Sequence, residues 1–237
     1  MVKNNINYIE GSGFIAKKFK KYSSFFKKNN CILYAAGVSN SLQNKKKEFE
    51  REIQRINKFI KINKKKIIYV STYSIFDKSR NHKYVKNKIK IEKIIKKKVE
   101  KYIIFRLPEV VGSNKNPNTL VNFLYKKIKK RKKFYLWINA KRNLIDIDDV
   151  VKFIIFFIKL NQNKNKVINL LNPNFNTPID IVNELEIILN KKAIYKIKKL
   201  KNYKFKIKNH INRKILQNMG FKFGNKYLYM TLKKYFR

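Results

Sequence analysis

The chain is poor in the residues that usually build disulfide frameworks, metal centres and tight turns. Its 237 residues include 1 Cys, 2 His, 4 Pro and 6 Gly. The single cysteine, Cys31, excludes an intrachain disulfide and favours a reducing compartment. His82 and His210 are far apart in the sequence, so no Cys/His cluster predicts a metal site. We therefore expect a cytoplasmic protein that holds no metal.

Acidic residues are also scarce, because 14 Asp and Glu face 59 Lys and Arg, a formal net charge of +45. A basic surface collects phosphates, so nucleic-acid binding is one interpretation of this charge. The other is compositional bias: the lysines are spread along the whole chain and accompany many Asn, Ile, Phe and Tyr, all with A/T-rich codons. We favour the bias, and expect no nucleic-acid partner but a general attraction for anionic ligands.

Long hydrophobic segments are missing as well. The most apolar run, residues 150–158, is too short to span a bilayer and is interrupted by Lys152. The N-terminus has no apolar core of the kind that signal peptides carry. We therefore expect no membrane span.

Apolar runs of strand length alternate with longer helical patterns along the chain. This alternation predicts an α/β fold with a mostly parallel sheet covered by helices. The segment 23–30 leaves room only for a very short second strand, and the tail beyond residue 191 is too rich in lysine to interpret. Thr177 is the expected N-cap of a helix that begins at Pro178. Predicted strands cover residues 6–10, 31–36, 66–71, 102–106, 144–147 and 167–171, and predicted helices cover 13–22, 45–62, 84–99, 119–130, 148–160 and 178–189.

Two of the six glycines stand in one short turn between a predicted strand and a predicted helix. Residues 11–16 read Gly-Ser-Gly-Phe-Ile-Ala, the G-x-G-x-x-A pattern of a dinucleotide-binding turn. Gly11 would permit the tight turn, Gly13 would let the backbone approach a pyrophosphate, and Ala16 would let helix and strand pack closely. A tight strand-to-helix turn with no ligand is the alternative interpretation of the same residues.

A tyrosine and a lysine, Tyr84 and Lys88, open the predicted helix after the third strand. Residues i and i+4 share a helix face, and a nearby ammonium favours a phenolate. The spacing alone is weak evidence, because it recurs at Tyr125, Tyr195 and Tyr229. Only the first pair follows a strand that ends in Ser71-Thr72 and lies downstream of a glycine turn.

In their order along the chain, these motifs resemble those of the extended short-chain dehydrogenase/reductases. The branch they resemble is that of the NAD-dependent sugar-nucleotide epimerases, dehydratases and reductases, and the resemblance covers roughly the first 170 residues. The motifs that carry it are Gly11 to Ala16, Tyr34-Ala35-Ala36-Gly37, Tyr69-Val70-Ser71-Thr72, Tyr84 with Lys88, Phe105 to Gly112, and Arg142 to Val150.

The resemblance implies an architecture. Residues 1–170 would form a Rossmann-like, doubly wound domain that binds NAD or NADP, shortened because its second helix–strand unit is missing. Residues 171–237 would form a small C-terminal substrate-binding lobe, and residues 113–141 would contribute to the substrate side. Many members of the family dimerise, so we expect a homodimer.

The resemblance also implies roles for single residues. Tyr84 would act as catalytic acid or base on a sugar hydroxyl or ketone, Lys88 would assist it, and Thr72 would hydrogen-bond the substrate oxygen. Substrate would be bound by Thr72, Glu109 and Arg142, with Arg142 at the nucleotide diphosphate. The cofactor would be bound by Gly11, Ser12, Gly13, Phe14, Ile15, Ala35, Ala36, Gly37, Ser71, Lys88, Pro108 and Val110.

Departures from the family pattern narrow the function. The missing unit reads the adenosine ribose, so NAD and NADP both stay open. Tyr73-Ser74 stand where dehydratases carry an Asp-Glu pair, which disfavours dehydration. We therefore expect an epimerase or keto-reductase that acts on a nucleotide-activated sugar in cell-surface polysaccharide synthesis. A non-catalytic, cofactor-sensing Rossmann protein is the alternative, and a nucleic-acid-binding protein has only the charge in its favour.

Overall fold

A computed structural model describes residues 7–41, 43–77, 83–114, 116–160, 165–200 and 213–237, without the side chains of 213–215. His82 and His210 lie outside these ranges. The strands are β1 (Ile9–Glu10), β2 (Cys31–Tyr34), β3 (Lys66–Thr72), β4 (Tyr102–Leu107), β5 (Glu109–Val111), β6 (Phe134–Trp137), β7 (Leu144–Asp146), β8 (Lys166–Asn169) and β9 (Tyr195–Lys198). The helices are α1 (Phe14–Phe19), α2 (Ser23–Lys28), α3 (Lys46–Ile62), α4 (Lys83–Lys98), α5 (Leu120–Lys129), α6 (Ile147–Leu160), α7 (Pro178–Leu189), α8 (Arg213–Asn218) and α9 (Tyr227–Tyr235), with 3₁₀ turns at Lys20–Tyr22 and Tyr73–Phe76.

The main sheet has five strands in the order β1-β2-β3-β4-β8. The pairs β1/β2, β2/β3 and β3/β4 are parallel. Strands β2 to β4 read as near-continuous apolar runs because a parallel sheet is covered on both faces. The predicted α/β class with a shortened, mostly parallel sheet is confirmed. Since parallel strands share one carboxyl edge, the residues that follow β1, β2 and β3 come to the same side of the sheet.

Segment 23–30 is helical, so the expectation of a short second strand there is wrong. α2 occupies Ser23–Lys28 and leads directly into β2. Phe19 at the end of α1 and Phe26 in α2 are both fully buried, with ring centroids 5.9 Å apart in an edge-to-face contact. This packing between the two short helices outweighs the β-propensity of the phenylalanines.

The described chain divides into two compact units. The first gathers the described parts of residues 1–75, 81–107 and 151–168, and the second those of 76–80, 108–150 and 169–237. The second unit thus takes in residues 108–150 as well as the C-terminal segment; the roles expected for the two parts stay predictions. Among the described residues, no helix combines the length and apolar character needed to cross a bilayer.

Each unit has its own apolar core. In the first, β2, β3 and β4 pack with α3 and α4 around Tyr34, Ile56, Tyr69 and Ile91. In the second, α5, α7 and α9 pack around Leu124, Val182 and Leu232, beside the two-stranded parallel sheets β5/β7 and β6/β9.

Helix α7 begins as predicted. The Thr177 hydroxyl accepts a hydrogen bond from the Asp180 backbone N–H, and the Asp180 carboxylate accepts one from the Thr177 N–H at 2.7 Å. This reciprocal capping box satisfies two N–H groups that the helix leaves without partners.

Candidate active site

The turn after β1 holds two glycines in different environments. Gly11 has φ +129°, and a Cβ there would lie 2.6 Å from the Ala35 carbonyl oxygen. Its freedom lets β1 and the end of β2 approach closely, which explains that glycine without any ligand. Gly13 has φ −75°, which any residue adopts, and a Cβ there would meet nothing within 4 Å. The polypeptide therefore gives no reason for glycine at 13, whereas a ligand approaching the backbone would.

The other residues expected in this turn lie as follows. Ser12 is exposed, and Phe14 and Ile15 are half-buried at the start of α1. Ala16 is fully buried, as its expected role in close helix–strand packing requires. The Ala35 N–H donates to the Glu10 carbonyl at 2.8 Å, which ties the residues after β2 to the turn.

Glu10, the carboxylate beside the turn, has a counter-charge. Arg55 on α3 donates from Nη2 to Glu10 Oε1 at 2.5 Å. The pair is partly exposed, so it contributes little to stability. Its guanidinium offsets the negative charge that would otherwise repel a phosphate at this edge.

At the end of β3, Ser71 and Thr72 face opposite sides of the sheet, as successive strand residues do. The Thr72 hydroxyl accepts from the Ser74 N–H at 3.1 Å. The Ser71 hydroxyl donates to Glu92 Oε1 at 2.6 Å, and Arg106 donates to both oxygens of the same carboxylate. Ser71 is thus engaged in a buried network inside the first unit, which gives it a structural contact distinct from its expected cofactor role.

Tyr84 and Lys88 are brought together as predicted, with the Lys88 ammonium 5.5 Å from the centroid of the Tyr84 ring. Lys88 is only 4 % exposed, whereas Tyr84 is half-buried. The Lys88 Nζ donates to Glu52 Oε1 at 2.7 Å, and Glu52 Oε2 accepts from Asn87 Nδ2 at 2.8 Å. Both oxygens of a buried carboxylate are thereby satisfied, one of them by the ammonium.

Gly37 lies directly beside this ion pair. A Cβ at Gly37 would collide with the Lys88 ammonium and the Glu52 carboxylate. The absence of a side chain at the end of the second strand motif therefore makes room for the Lys88–Glu52 pair.

The ionisation of Lys88 is set by opposing effects. Burial alone would lower its pKa, but the neighbouring Tyr69, Tyr84 and Glu52 more than offset this and raise the pKa above the usual lysine value. Burial raises the pKa of Tyr69 and, on β2, that of Tyr34. Lys88 is thus a fixed cation, suited to hold a negative or polar group but not to give up a proton.

A cleft of about 540 Å³ opens beside these residues within the first unit. Its lining includes the predicted cofactor residues Ala36 and Gly37 together with Glu52 and Arg55 of α3. The loop side of the cleft is completed by Val38, Ser39, Asn40 and Gln43, and the helix side by Glu48 and Arg51.

The predicted residues of the second unit lie on β5 and just before β7. Glu109 and Val110 belong to β5, with Pro108 immediately before it, and the Glu109 N–H donates to the Asn143 carbonyl at 3.0 Å. Arg142 forms an antiparallel backbone bridge with Asn176. Asn143 and Asn172, both buried, exchange hydrogen bonds at 2.6 and 3.0 Å and fix the backbone around Arg142.

The acids at the end of β7 and the start of α6 bond to side chains of α9. Lys234 on α9 donates to Asp146 at 2.8 Å and to Asp148 at 2.6 Å. The Tyr227 hydroxyl donates to Asp149 at 2.6 Å. These bonds tie the C-terminal helix to the end of β7 inside the second unit.

Comparison with known proteins shows what the chain is similar to. A model of the NAD dependent epimerase/dehydratase family matches residues 54–170, a segment that contains Thr72, Tyr84, Lys88 and Arg142. The resemblance drawn from the motifs is thereby confirmed. No curated protein matches the chain.

Several solved structures share the fold of this chain. UDP-glucuronic acid 4-epimerase from Bacillus cereus, with UDP-glucuronic acid and NAD, has a TM-score of 0.68 at 18 % identity and covers 95 % of this chain and 77 % of its own. UDP-glucose 4-epimerase from Thermus thermophilus, with NAD, has a TM-score of 0.66 at 11 % identity, and the match covers 93 % of this chain and 80 % of the epimerase chain. RMD from Pseudomonas aeruginosa, with NADPH, has a TM-score of 0.64 at 10 % identity, and the match covers 86 % of this chain and 79 % of the RMD chain.

Sequence reasoning missed Glu52, although a signal for it exists. Glu52 lies on the buried face of α3, on which Phe49, Ile56 and Phe59 are also buried. An acid at a core position of an amphipathic helix needs a buried partner. That partner, Lys88, lies 36 residues away and becomes visible only in the folded chain.

Proposed function

We propose that this protein is an NAD(P)-dependent enzyme that epimerises or reduces a nucleotide-activated sugar. We place it in the cytoplasm, in cell-surface polysaccharide synthesis. The observation that carries the proposal is the buried Lys88 ammonium beside the Tyr84 ring, on the helix that follows the Thr72 end of β3. The UDP-sugars and coenzymes held by the similar structures support the choice of substrate class.

The residues on one side of the cleft fit a nicotinamide coenzyme. Gly13 leaves open space where a Cβ would stand, and Ala36 and Gly37 present no bulky side chain to the cleft. In our proposal Gly11 to Ile15, Ala35 to Gly37 and Lys88 hold the coenzyme, with Pro108 and Val110 completing its site. When bound, the nicotinamide supplies the redox chemistry of the reaction.

The chain itself supplies proton transfer and positioning. Tyr84 exchanges a proton with a sugar hydroxyl or ketone oxygen, and the fixed charge of Lys88 stabilises the phenolate in that exchange. The Thr72 hydroxyl oxygen already accepts a hydrogen bond from the Ser74 N–H. The hydroxyl hydrogen is therefore left to donate to the sugar oxygen on which Tyr84 acts. Arg142 and Glu109 would contact the nucleotide sugar from the second unit, and we propose a homodimer as the working form.

A second candidate, a cofactor-sensing protein without turnover, is favoured by the strand order. In the described segment 7–41, α1, a 3₁₀ turn and α2 are the elements between β1 and β2, which are direct neighbours in the sheet. The unit that reads the adenosine ribose in a complete dinucleotide fold is thus replaced by helix.

Replacing Tyr84 tests the enzyme. Tyr84→Phe keeps the ring and removes the hydroxyl, so we expect turnover of a nucleotide sugar such as UDP-glucuronic acid, assayed with NAD, to fall by about 10²–10⁴-fold. The NADH dissociation constant, measured by fluorescence titration, should stay within about twofold of the wild-type value, since the proposed role of the hydroxyl is proton transfer and not coenzyme binding. Tyr125→Phe is the matched control, because Tyr125 and Lys129 have the same spacing on α5 and form an exposed 2.8 Å hydrogen bond.

The outcomes separate the candidates. Full activity of Tyr84→Phe would remove Tyr84 from the mechanism. Failure of wild type to bind either NADH or NADPH would reject both the enzyme and the sensor. Tight coenzyme binding without turnover across a panel of nucleotide sugars would favour the sensor.

A further inference from the structure

We propose that Glu52 is a positioning residue that fixes the Lys88 ammonium beneath Tyr84, so that helix α3 takes part in organising the active site. Its effect on turnover rests on the function proposed above. The contact itself belongs to the free chain and can be tested without any substrate.

The geometry of the contact is that of a locked pair. The Glu52 carboxylate receives the Lys88 ammonium on one oxygen at 2.7 Å and the Asn87 amide on the other at 2.8 Å. The exposed fractions of Glu52, Asn87 and Lys88 are 2 %, 6 % and 4 %. Because both carboxylate oxygens are used and water is excluded, the ammonium has one strongly preferred position.

Gly37 provides an independent indication. Its missing side chain leaves the volume that the Lys88 and Glu52 heads fill, and its φ is not in the left-handed region that would by itself demand glycine. The glycine at the end of the β2 motif therefore has a packing reason that involves this pair. α3, α4 and the residues after β2 converge on one buried charge contact.

Every element packed around Lys88 faces it with a titratable or charged group. α3 contributes Glu52, β3 contributes Tyr69, β2 contributes Tyr34, and its own helix contributes Tyr84. Among the described residues, the buried hydroxyls of Tyr34 and Tyr69 have no hydrogen-bond partner. Glu52 is therefore the anionic group that compensates the buried ammonium, while burial raises the pKa of Tyr34 and Tyr69 and keeps these two phenols neutral.

The first variant removes this charge. In Glu52→Gln the ammonium stays buried without a counter-ion, so its pKa should fall instead of lying above the usual lysine value. We expect the ¹³Cε resonance of Lys88, in lysine-labelled protein and assigned by its loss in Lys88→Arg, to titrate at least about one pH unit lower than in wild type. The alkaline limb of the pH profile of turnover should move in the same direction.

The second variant, Gly37→Ala, keeps both charges. Unlike Glu52→Gln, it introduces no neutral amide into the buried contact. Gly37→Ala places a methyl group where the two heads meet, so the ends of the Lys88 and Glu52 side chains must shift to accommodate it. We expect the Lys88 ¹³Cε chemical shift to change and NADH affinity and turnover to fall. Glu50→Gln on the same helix is the control for both variants, because Glu50 makes only an exposed 3.4 Å pair with Lys46.

The result decides between positioning and packing. A lower Lys88 midpoint together with an earlier alkaline limb in Glu52→Gln, and unchanged values in Glu50→Gln, supports the proposal. An unchanged midpoint in Glu52→Gln, an unshifted alkaline limb despite a lower midpoint, or, if Glu52→Gln does not fold, an unaltered Lys88 resonance in Gly37→Ala would each overturn it. If wild type turns over no nucleotide sugar, the proposed function fails, while the titration still decides whether Glu52 holds Lys88.

Discussion

Gly11 and Gly13, separated only by Ser12, are glycine for different reasons. Gly11 adopts φ +129° and lies against the backbone of Ala35, so the fold itself requires it. Gly13 has an extended backbone, and a Cβ there would meet no atom of the described residues within 4 Å. The sequence motif treats the two alike, whereas the structure gives a folding reason for Gly11, and a ligand contact at Gly13 is our proposal.

The two alanine substitutions should therefore have opposite effects. We expect Gly11→Ala to lower the free energy of unfolding by about 2 kcal/mol or more, from backbone strain and the clash with Ala35. Gly13→Ala should leave stability unchanged or slightly raised, since a compatible site gains from a stiffer unfolded chain. Its NADH affinity should fall about tenfold or more, because the methyl group takes ligand space. Urea denaturation and fluorescence titration measure the two effects; undiminished affinity in Gly13→Ala would contradict the ligand interpretation.

At the scale of elements, α5 and α7 begin with the same residue type but different chemistry. Thr177 caps α7 through a bond from the Asp180 N–H, whereas Thr119 at the N-cap of α5 makes no side-chain capping bond. The difference follows from the third helical residue, which is an acid in α7 and Asn122 in α5. A capping box forms where that acid can bond back to the cap.

Thr177→Ala should lower the free energy of unfolding by about 1 kcal/mol, because it leaves the Asp180 N–H without its partner. Thr119→Ala, the same change at an N-cap without the bond, should cost clearly less. Chemical denaturation of both variants followed by circular dichroism measures the difference. Equal losses would show that the capping box contributes nothing to α7.

Strong periodic elements could be predicted from the sequence, and short or lysine-rich ones could not. The apolar runs of β2, β3 and β4 and the N-cap of α7 could be predicted because each signal is local. β5, β6 and β9 could not, since strands of only three or four residues carry too little pattern. In the candidate site, Tyr84 and Lys88 share a helix and were found, whereas Glu52 is joined to them only by tertiary packing.

At the scale of the whole molecule, the formal net charge of +45 acts against folding. Compaction brings like charges together, and with 14 acids for 59 basic residues few of them find partners. Buried pairs such as Lys88–Glu52 and Arg106–Glu92 are sheltered from salt, whereas exposed ones such as Lys46–Glu50 are not. The balance between general repulsion and these few pairs sets how stability responds to ionic strength.

General repulsion should win, so added salt should stabilise the protein. The Debye length falls from about 10 Å at 0.1 M to about 3 Å at 1 M, which screens distant lysines from one another but barely touches the buried pairs. If screening contributes on the order of 1 kcal/mol, the melting temperature rises by about 2–4 °C. Sodium chloride and sodium acetate at equal ionic strength should give the same rise in melting temperature in a thermal scan. Screening depends only on ionic strength, whereas stabilisation by a bound anion would depend on which anion is present. A melting temperature that falls with salt would instead show that exposed ion pairs outweigh the repulsion among the lysines.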